Sequence, residues 1–287
     1  MIAAKENNSI TFHFPGILQF GAGCLYQWAQ NFHLTGLKRL FIITIPPVLE
    51  RLKGMMDLLK NRQIEICLYT NVKNEPTFYD FIDAANKAEE FNADSIAGIG
   101  GGSVMDLAKV TAALLYSGND IESVAGTDKI IERKIYLICS PTTSGTGSEV
   151  SPIAIITDYS GTKTSFISQY LIPDVACVDP LLTLGIPPDI TAYTGFDALT
   201  HCIEAYANRF AHPVTDMFAL EGIRKIASNL INVYNNGNDI QARSNLSLGS
   251  LYGGMCLGTV NTAAVHALAY PLGNFFKIPH GLANAVL

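Results

Sequence analysis

Asp197 and His201 stand four positions apart in TGFDALTHCIEAY, a stretch of helical periodicity, so both side chains leave the same face of one helix. His266 follows in a second helical stretch, and His280 comes fourteen residues later within Ile278-Pro279-His280-Gly281. Three of the six histidines of the chain thus fall near one carboxylate, in apolar surroundings that ordinarily disfavour them. Ligation of a divalent cation accounts for that placement, whereas each histidine taken singly also reads as a hydrogen-bonded core residue. Three imidazoles and a carboxylate suit Fe²⁺, Zn²⁺, Ni²⁺ or Co²⁺ better than Mg²⁺ or Ca²⁺ and leave positions for a substrate oxygen. Glu204, one turn beyond His201, reads as a supporting group. The H-E-x-x-H pattern of zinc proteases is absent.

A second kind of chemistry sits upstream. Gly98-Ile99-Gly100-Gly101-Gly102-Ser103 joins a strand-like run to a helix-like one, where bare backbone N–H groups and a helix N-terminus would face a pyrophosphate. A plain strand-to-helix turn is the alternative. Ser103 at the sixth position, and at least two βα units ahead of the loop, separate it from an ordinary Rossmann fingerprint. It is no P-loop either, since the Gly-Lys-Ser/Thr ending is missing. Pro141-Thr142-Thr143-Ser144-Gly145-Thr146-Gly147-Ser148-Glu149 is a second polar loop, rich in hydroxyls for ribose or phosphate oxygens, or a solvated surface turn.

The elements that must carry these groups change character along the chain. Lys38 to Thr44, Ile64 to Tyr69 and Ser95 to Ile99 read as buried strands, and Pro46 to Lys60, Phe78 to Phe91 and Ser103 to Tyr116 as helices between them. Such alternation predicts a parallel sheet with helices on both faces. Three β-rich runs follow (IYLICS, IAIITD, DVACVD), and after Pro187-Pro188 only helical periodicity remains. The predicted architecture is an α/β domain over residues 1–184 and a helical domain over 185–287.

Composition narrows the function classes. With 287 residues, 48% hydrophobic, the chain can build real cores, and a net charge of −6 without like-charge runs argues against nucleic acid as a partner. No apolar run reaches membrane-spanning length, and MIAAKENNSITFHF lacks the apolar core of a signal peptide. Six scattered cysteines without a C-x-x-C pair suit buried thiols in a reducing, cytoplasmic setting.

Taken together, GGGSVMDLAK (100–109), PTTSGTGSEVSPIAIITD (141–158), PDVACVDP (173–180), TGFDALTHCIEAY (194–206) and HALAYPLGNFFKIPHGLANA (266–285) resemble the iron-containing, group III alcohol dehydrogenases. The resemblance implies an α/β dinucleotide-binding domain followed by an all-α metal-binding domain, the dehydroquinate synthase-like fold. It implies Asp197, His201, His266 and His280 as metal ligands and Gly100, Gly101, Gly102 and Ser103 as the pyrophosphate loop. Asp106, Thr142, Thr143, Thr146 and Lys163 fall where family members contact the cofactor. The implied reaction is hydride transfer between a small alcohol, or its aldehyde or ketone, and NAD or NADP, with Fe²⁺, or alternatively Zn²⁺, as Lewis acid. Homodimers are common in the family.

The chain departs from the family at three points. Tyr270 takes the place of a second histidine one turn after His266; it can relay a proton, though its ordinary pKa near 10 suits neutral pH less well. Ile45 follows the strand RLFIIT where members that prefer NAD often carry aspartate, which leaves NAD against NADP open. The chain ends at Leu287 inside apolar GLANAVL, so a truncated, fragmentary or naturally shortened chain is expected. Two other readings stand beside the oxidoreductase: a non-redox cyclase of the dehydroquinate synthase type, disfavoured by the few Lys and Arg after residue 183, and a catalytically silent dinucleotide-binding fragment.

Overall fold

Strands form where β-branched and aromatic residues run together and both faces find apolar cover. In β2 (Arg39–Ile43), Leu40 and Ile42 point to one side while Phe41 and Ile43 point to the other, and all four are buried. That continuous hydrophobic run is the mark of a central parallel strand. The computed structural model describes residues 9–72, 75–276 and 278–287; the first eight residues, part of the segment read above for a leader, lie outside it.

The α/β unit, Pro15–Thr142 with Pro152–Leu182, begins with β1 (Ile17–Phe20) and α1 (Cys24–Phe32). It continues through β2, α2 (Leu49–Asn61), β3 (Glu65–Tyr69), α3 (Phe78–Glu90), β4 (Ser95–Gly100) and α4 (Gly102–Leu114). After β5 (Gly126–Thr127) come β6 (Tyr136–Pro141), β7 (Ile153–Thr157), β8 (Lys163–Ile167) and β9 (Val175–Val178). Six strands make one parallel sheet in the order β1-β9-β6-β4-β2-β3, as the strand–helix alternation predicts. Helices α1 and α2 cover one face and α3 and α4 the other.

The runs IAIIT and KTSFI form an antiparallel hairpin, β7 with β8, in a separate three-stranded sheet. Two polar residues of α4 tie it down. Lys109, fully buried, donates from Nζ to the Ile153 carbonyl at 2.6 Å, and Asp106 Oδ2 accepts from Ile155 N at 3.0 Å. At the far edge Asp179 accepts from Gly23 N and Leu25 N at 3.0 and 3.3 Å, satisfying donors that the first turn of α1 leaves open.

The second unit comprises Thr183–Leu287, the loop Thr143–Ser151 and the described residues up to Phe14. Its helices are α5 (Pro188–Ala207), α6 (Pro213–Asn235), α7 (Ile240–Leu257), α8 (Ala264–Phe276) and α9 (His280–Val286). Prolines at the first position open α5 and α6, where the missing N–H has no helical partner to lose. Buried Arg243 on α7 donates to Gly237 O, Thr191 Oγ1 and Ile186 O at 2.9, 3.0 and 3.3 Å, locking α7 to the start of α5. No described helix is long and apolar enough to cross a membrane.

The hydroxyl-rich loop packs directly on α7. Ser144 Oγ lies 2.9 Å from Ser247 Oγ, and Gly147, at φ +61°, is so close that a Cβ would sit 2.3 Å from Gly254 Cα. Both the left-handed backbone and the contact require glycine there. Gly147→Ala is therefore expected to lower unfolding free energy by about 1–3 kcal/mol or more in urea titrations, the range of an overpacked core; a loss under about 0.5 kcal/mol would contradict this contact.

Candidate metal centre and cofactor loops

Three helices of the second unit bring the predicted ligands together. Spacing on α5 sets Asp197 and His201 on one face, α8 supplies His266 in its first turn, and Pro279 starts α9 so that His280 is its first residue. Asp197 Oδ1 lies 3.5, 3.6 and 3.9 Å from Nε2 of His266, His280 and His201. The His201 and His266 rings stack at 4.5 Å, and His266 meets His280 at 5.3 Å. Asp197, His201 and His266 are almost fully buried, whereas the His280 side chain is 29% exposed, so the open side of the cluster is at His280.

Glu204 has a definite part in this arrangement. Its carboxylate accepts from Ala263 N at 2.8 Å and Val265 N at 2.5 Å, which holds the start of α8, and from His266 Nδ1 at 2.6 Å. A carboxylate only accepts, so Nδ1 of His266 carries a proton, and in the neutral ring Nε2 then turns its lone pair toward Asp197. Asn284, one turn after His280 on α9, went unnoticed in the sequence although its i,i+4 spacing mirrors that of Asp197 and His201. Its Nδ2 donates to Asp197 Oδ1 at 2.7 Å and lies 3.2 and 3.4 Å from Nε2 of His266 and His280. A glycine lets α9 come this near: a Cβ at Gly281 would sit 2.0 Å from the Tyr193 carbonyl of α5.

A divalent cation fits these residues. Asp197, His201 and His266 offer buried donor atoms within 4.8 Å of one another, and His280 Nε2 lies 3.6 Å from Asp197 Oδ1 on the open side, all of the nitrogen–oxygen type that borderline cations prefer. Tyr270, one turn after His266 on α8, lays its ring against His280 at a centroid distance of 5.6 Å.

The residues read as cofactor contacts divide between the two units. Gly100 ends β4 and Gly101 precedes α4 in an extended conformation, with no side chain capping the helix, whose opening N–H groups are of the kind that bind a phosphate. Thr142 adjoins this loop, its N–H donating to Gly100 O at 2.9 Å. Asp106 and the β7 backbone are joined as described, and Lys163 Nζ meets Glu75 Oε1 at 2.6 Å. Thr143 and Thr146 belong to the loop of the second unit, where Thr146 Oγ1 accepts from Ser148 N at 3.3 Å.

Comparison with known proteins bears on this geometry. Residues 15–180 match the family model described as iron-containing alcohol dehydrogenase, and residues 191–287 match that for the C-terminal region of the Fe-containing alcohol dehydrogenase family. Alcohol dehydrogenase 4 of Schizosaccharomyces pombe is 37% identical over 281 residues, which cover 96% of this chain and 66% of that protein. The chain therefore spans about two thirds of the length of that relative. Among solved structures, a 1,3-propanediol oxidoreductase superposes with a TM-score of 0.93 at 31% identity over 97% of this chain and 74% of its own. The sulfoacetaldehyde reductase of Bifidobacterium kashiwanohense in complex with NAD⁺ superposes at 0.89 with 26% identity over 98% and 75%.

The buried charges titrate against one another. Burial pushes His201 down to about 4, the Asp197 charge opposing it only in part. Burial also disfavours the charge on His266, but Asp197 and Glu204 outweigh it and hold that imidazole above its ordinary 6.5. Asp197 is held below the usual carboxylate range by the three imidazoles, against its own burial. In the metal-free protein His201 therefore contributes stability that is complete above pH 6.5 and lost as pH falls toward 4. The His266 contribution is complete below 6.5 and lost as pH rises through its elevated value. Urea unfolding of chelator-treated protein at about pH 5, 6.5 and 8 is expected to give the highest midpoint at the middle value. In His201→Leu the loss on the acid side should shrink; an unchanged acid limb would contradict the assignment.

Proposed function

The chain belongs to the iron-containing alcohol dehydrogenase family, and on that premise we propose that it is a metal-dependent, NAD(P)-linked oxidoreductase interconverting a small alcohol and its aldehyde or ketone. The observation that carries the reading is the convergence of His201, His266 and His280 on Asp197 Oδ1 at 3.5–3.9 Å. Asp197, His201, His266 and His280 would hold the cation, Fe²⁺ by family, with Zn²⁺ the alternative for the same donors. A bound cation supplies Lewis acidity toward the substrate oxygen, and a bound nicotinamide exchanges the hydride.

The protein's own groups do the rest. Glu204 keeps His266 in the tautomer with a free Nε2, and the backbone N–H groups opening α4 bind the pyrophosphate with Gly100–Ser103 and Thr142 around them. Thr143, Thr146, Asp106 and Lys163 complete the cofactor assignment, with Asp106 and Lys163 already engaged in the ties described above. NAD is the cofactor favoured, in keeping with the NAD⁺ complex of the sulfoacetaldehyde reductase. The Tyr270 hydroxyl, on a ring stacked against His280, passes the proton that accompanies hydride transfer. Six cysteines that form no disulfide among the described residues accord with a cytoplasmic location, and the exposed Ile17, Leu18 and Phe20 of edge strand β1 with a homodimer.

Protein loaded anaerobically with Fe²⁺ is expected to consume NADH in the presence of short aldehydes. His266→Ala or His280→Ala should remove more than about 100-fold of that rate, the several kcal/mol a Lewis acid contributes. Tyr270→Phe should lower kcat while leaving metal content intact. No cofactor oxidation by protein shown to hold stoichiometric metal would overturn the oxidoreductase reading.

A further inference from the structure

The Asn284 amide touches three of the four ligand candidates at once. Its Nδ2 carries two hydrogens and faces Asp197 Oδ1 and Nε2 of His266 and His280, while its Oδ1 is buried with no hydrogen-bond partner among the described residues. The reverse orientation would set that oxygen against the Asp197 carboxylate and the Nε2 lone pair that Glu204 imposes on His266. The cluster's demand for a donor therefore outweighs the acceptor left unsatisfied.

We propose that Asn284 is a positioning residue of the metal centre, converging Asp197, His266 and His280 on one point and orienting Asp197 after a cation binds. This rests on the metal reading of Asp197, His201, His266 and His280. The three contacts differ in what they tolerate. An imidazole nitrogen has one lone pair, so the contacts at 3.2 and 3.4 Å give way when that lone pair ligates. A carboxylate oxygen has a second lone pair, so the shortest contact, 2.7 Å to Asp197 Oδ1, persists in the loaded state. Outer hydrogen bonds of this kind orient a ligating carboxylate and raise affinity for the cation. Placement on α9 suits the task, because Gly281 packs that helix against the Tyr193 carbonyl of α5, the helix that carries Asp197.

The test is a Co²⁺ titration of the whole chain, read by visible ligand-field absorption against a competing chelator. Wild type, Asn284→Ala, Asn284→Leu and His266→Ala are compared, with thermal unfolding of each metal-free protein in parallel. Asn284→Leu keeps the bulk without the donor, so it reports on the hydrogen bonds even if the alanine variant folds poorly. Both Asn284 variants should bind Co²⁺ about 10–100-fold more weakly than wild type, with an altered spectrum, at temperatures where they remain folded. Unchanged affinity and spectrum, even alongside a lowered Tm, would reduce Asn284 to a packing residue of α9 and overturn the proposal. Tighter binding would overturn it too, since the amide would then compete with the cation. Wild type that binds Co²⁺ no better than His266→Ala would overturn the metal reading, and this proposal with it.

Discussion

A carboxylate taken out of water must be compensated where it stands, and the helical unit is arranged around one such group. Asp197 is 4% exposed, and its Oδ1 lies within 2.7–3.9 Å of three imidazole nitrogens and the Asn284 amide nitrogen. Those partners come from three helices, so the charge can be buried only when α5, α8 and α9 are docked together. Glu204 repeats the logic two turns along α5, where its carboxylate faces the opening N–H groups of α8 and the far side of His266. Glu204 thereby fixes the start of α8 and the neutral tautomer of its histidine. The same density of buried lone pairs makes the cluster suitable for a cation, because a divalent charge satisfies all of them together where protons satisfy them one at a time.

Much of this was legible in the sequence, and the reasons are physical. The i,i+4 spacing of Asp197 and His201 is local, and helical geometry turns it directly into a shared face. The parallel sheet was readable because LFII and IAGI have apolar residues on both faces, which only a central strand buries. Asn284 was passed over because an asparagine near the end of a helix ordinarily reads as a turn or cap former, and its role depends on α5 and α8, far away in the chain. Edge strand β1 and helix α1 left a weak signal, since the strand has only four residues, mostly exposed, and the helix is held by Asp179 from across the sheet. The seating of β7 on α4 uses buried Lys109 and Asp106, two charged groups that composition alone assigns to a surface.

The hydroxyl-rich loop shows the limit of reading by composition. Its serines, threonines and glycines describe a solvated turn equally well, yet Ser144 and Gly147 are buried against α7 and the loop belongs by its contacts to the helical unit. Glycine serves proximity there as well as backbone freedom. Gly281 does the same at the Asp197 cluster, where a single methyl would lift α9, and with it His280 and Asn284, away from Asp197.

The central claim, that Asp197, His201, His266 and His280 jointly ligate one cation, is met most directly by iron K-edge X-ray absorption on Fe²⁺-loaded protein. The account predicts a first shell of nitrogen and oxygen at about 2.0–2.2 Å with the outer-shell scattering of three imidazoles, reduced to two in His280→Ala. An all-oxygen shell without imidazole scattering, or a spectrum unchanged by His280→Ala, would contradict it.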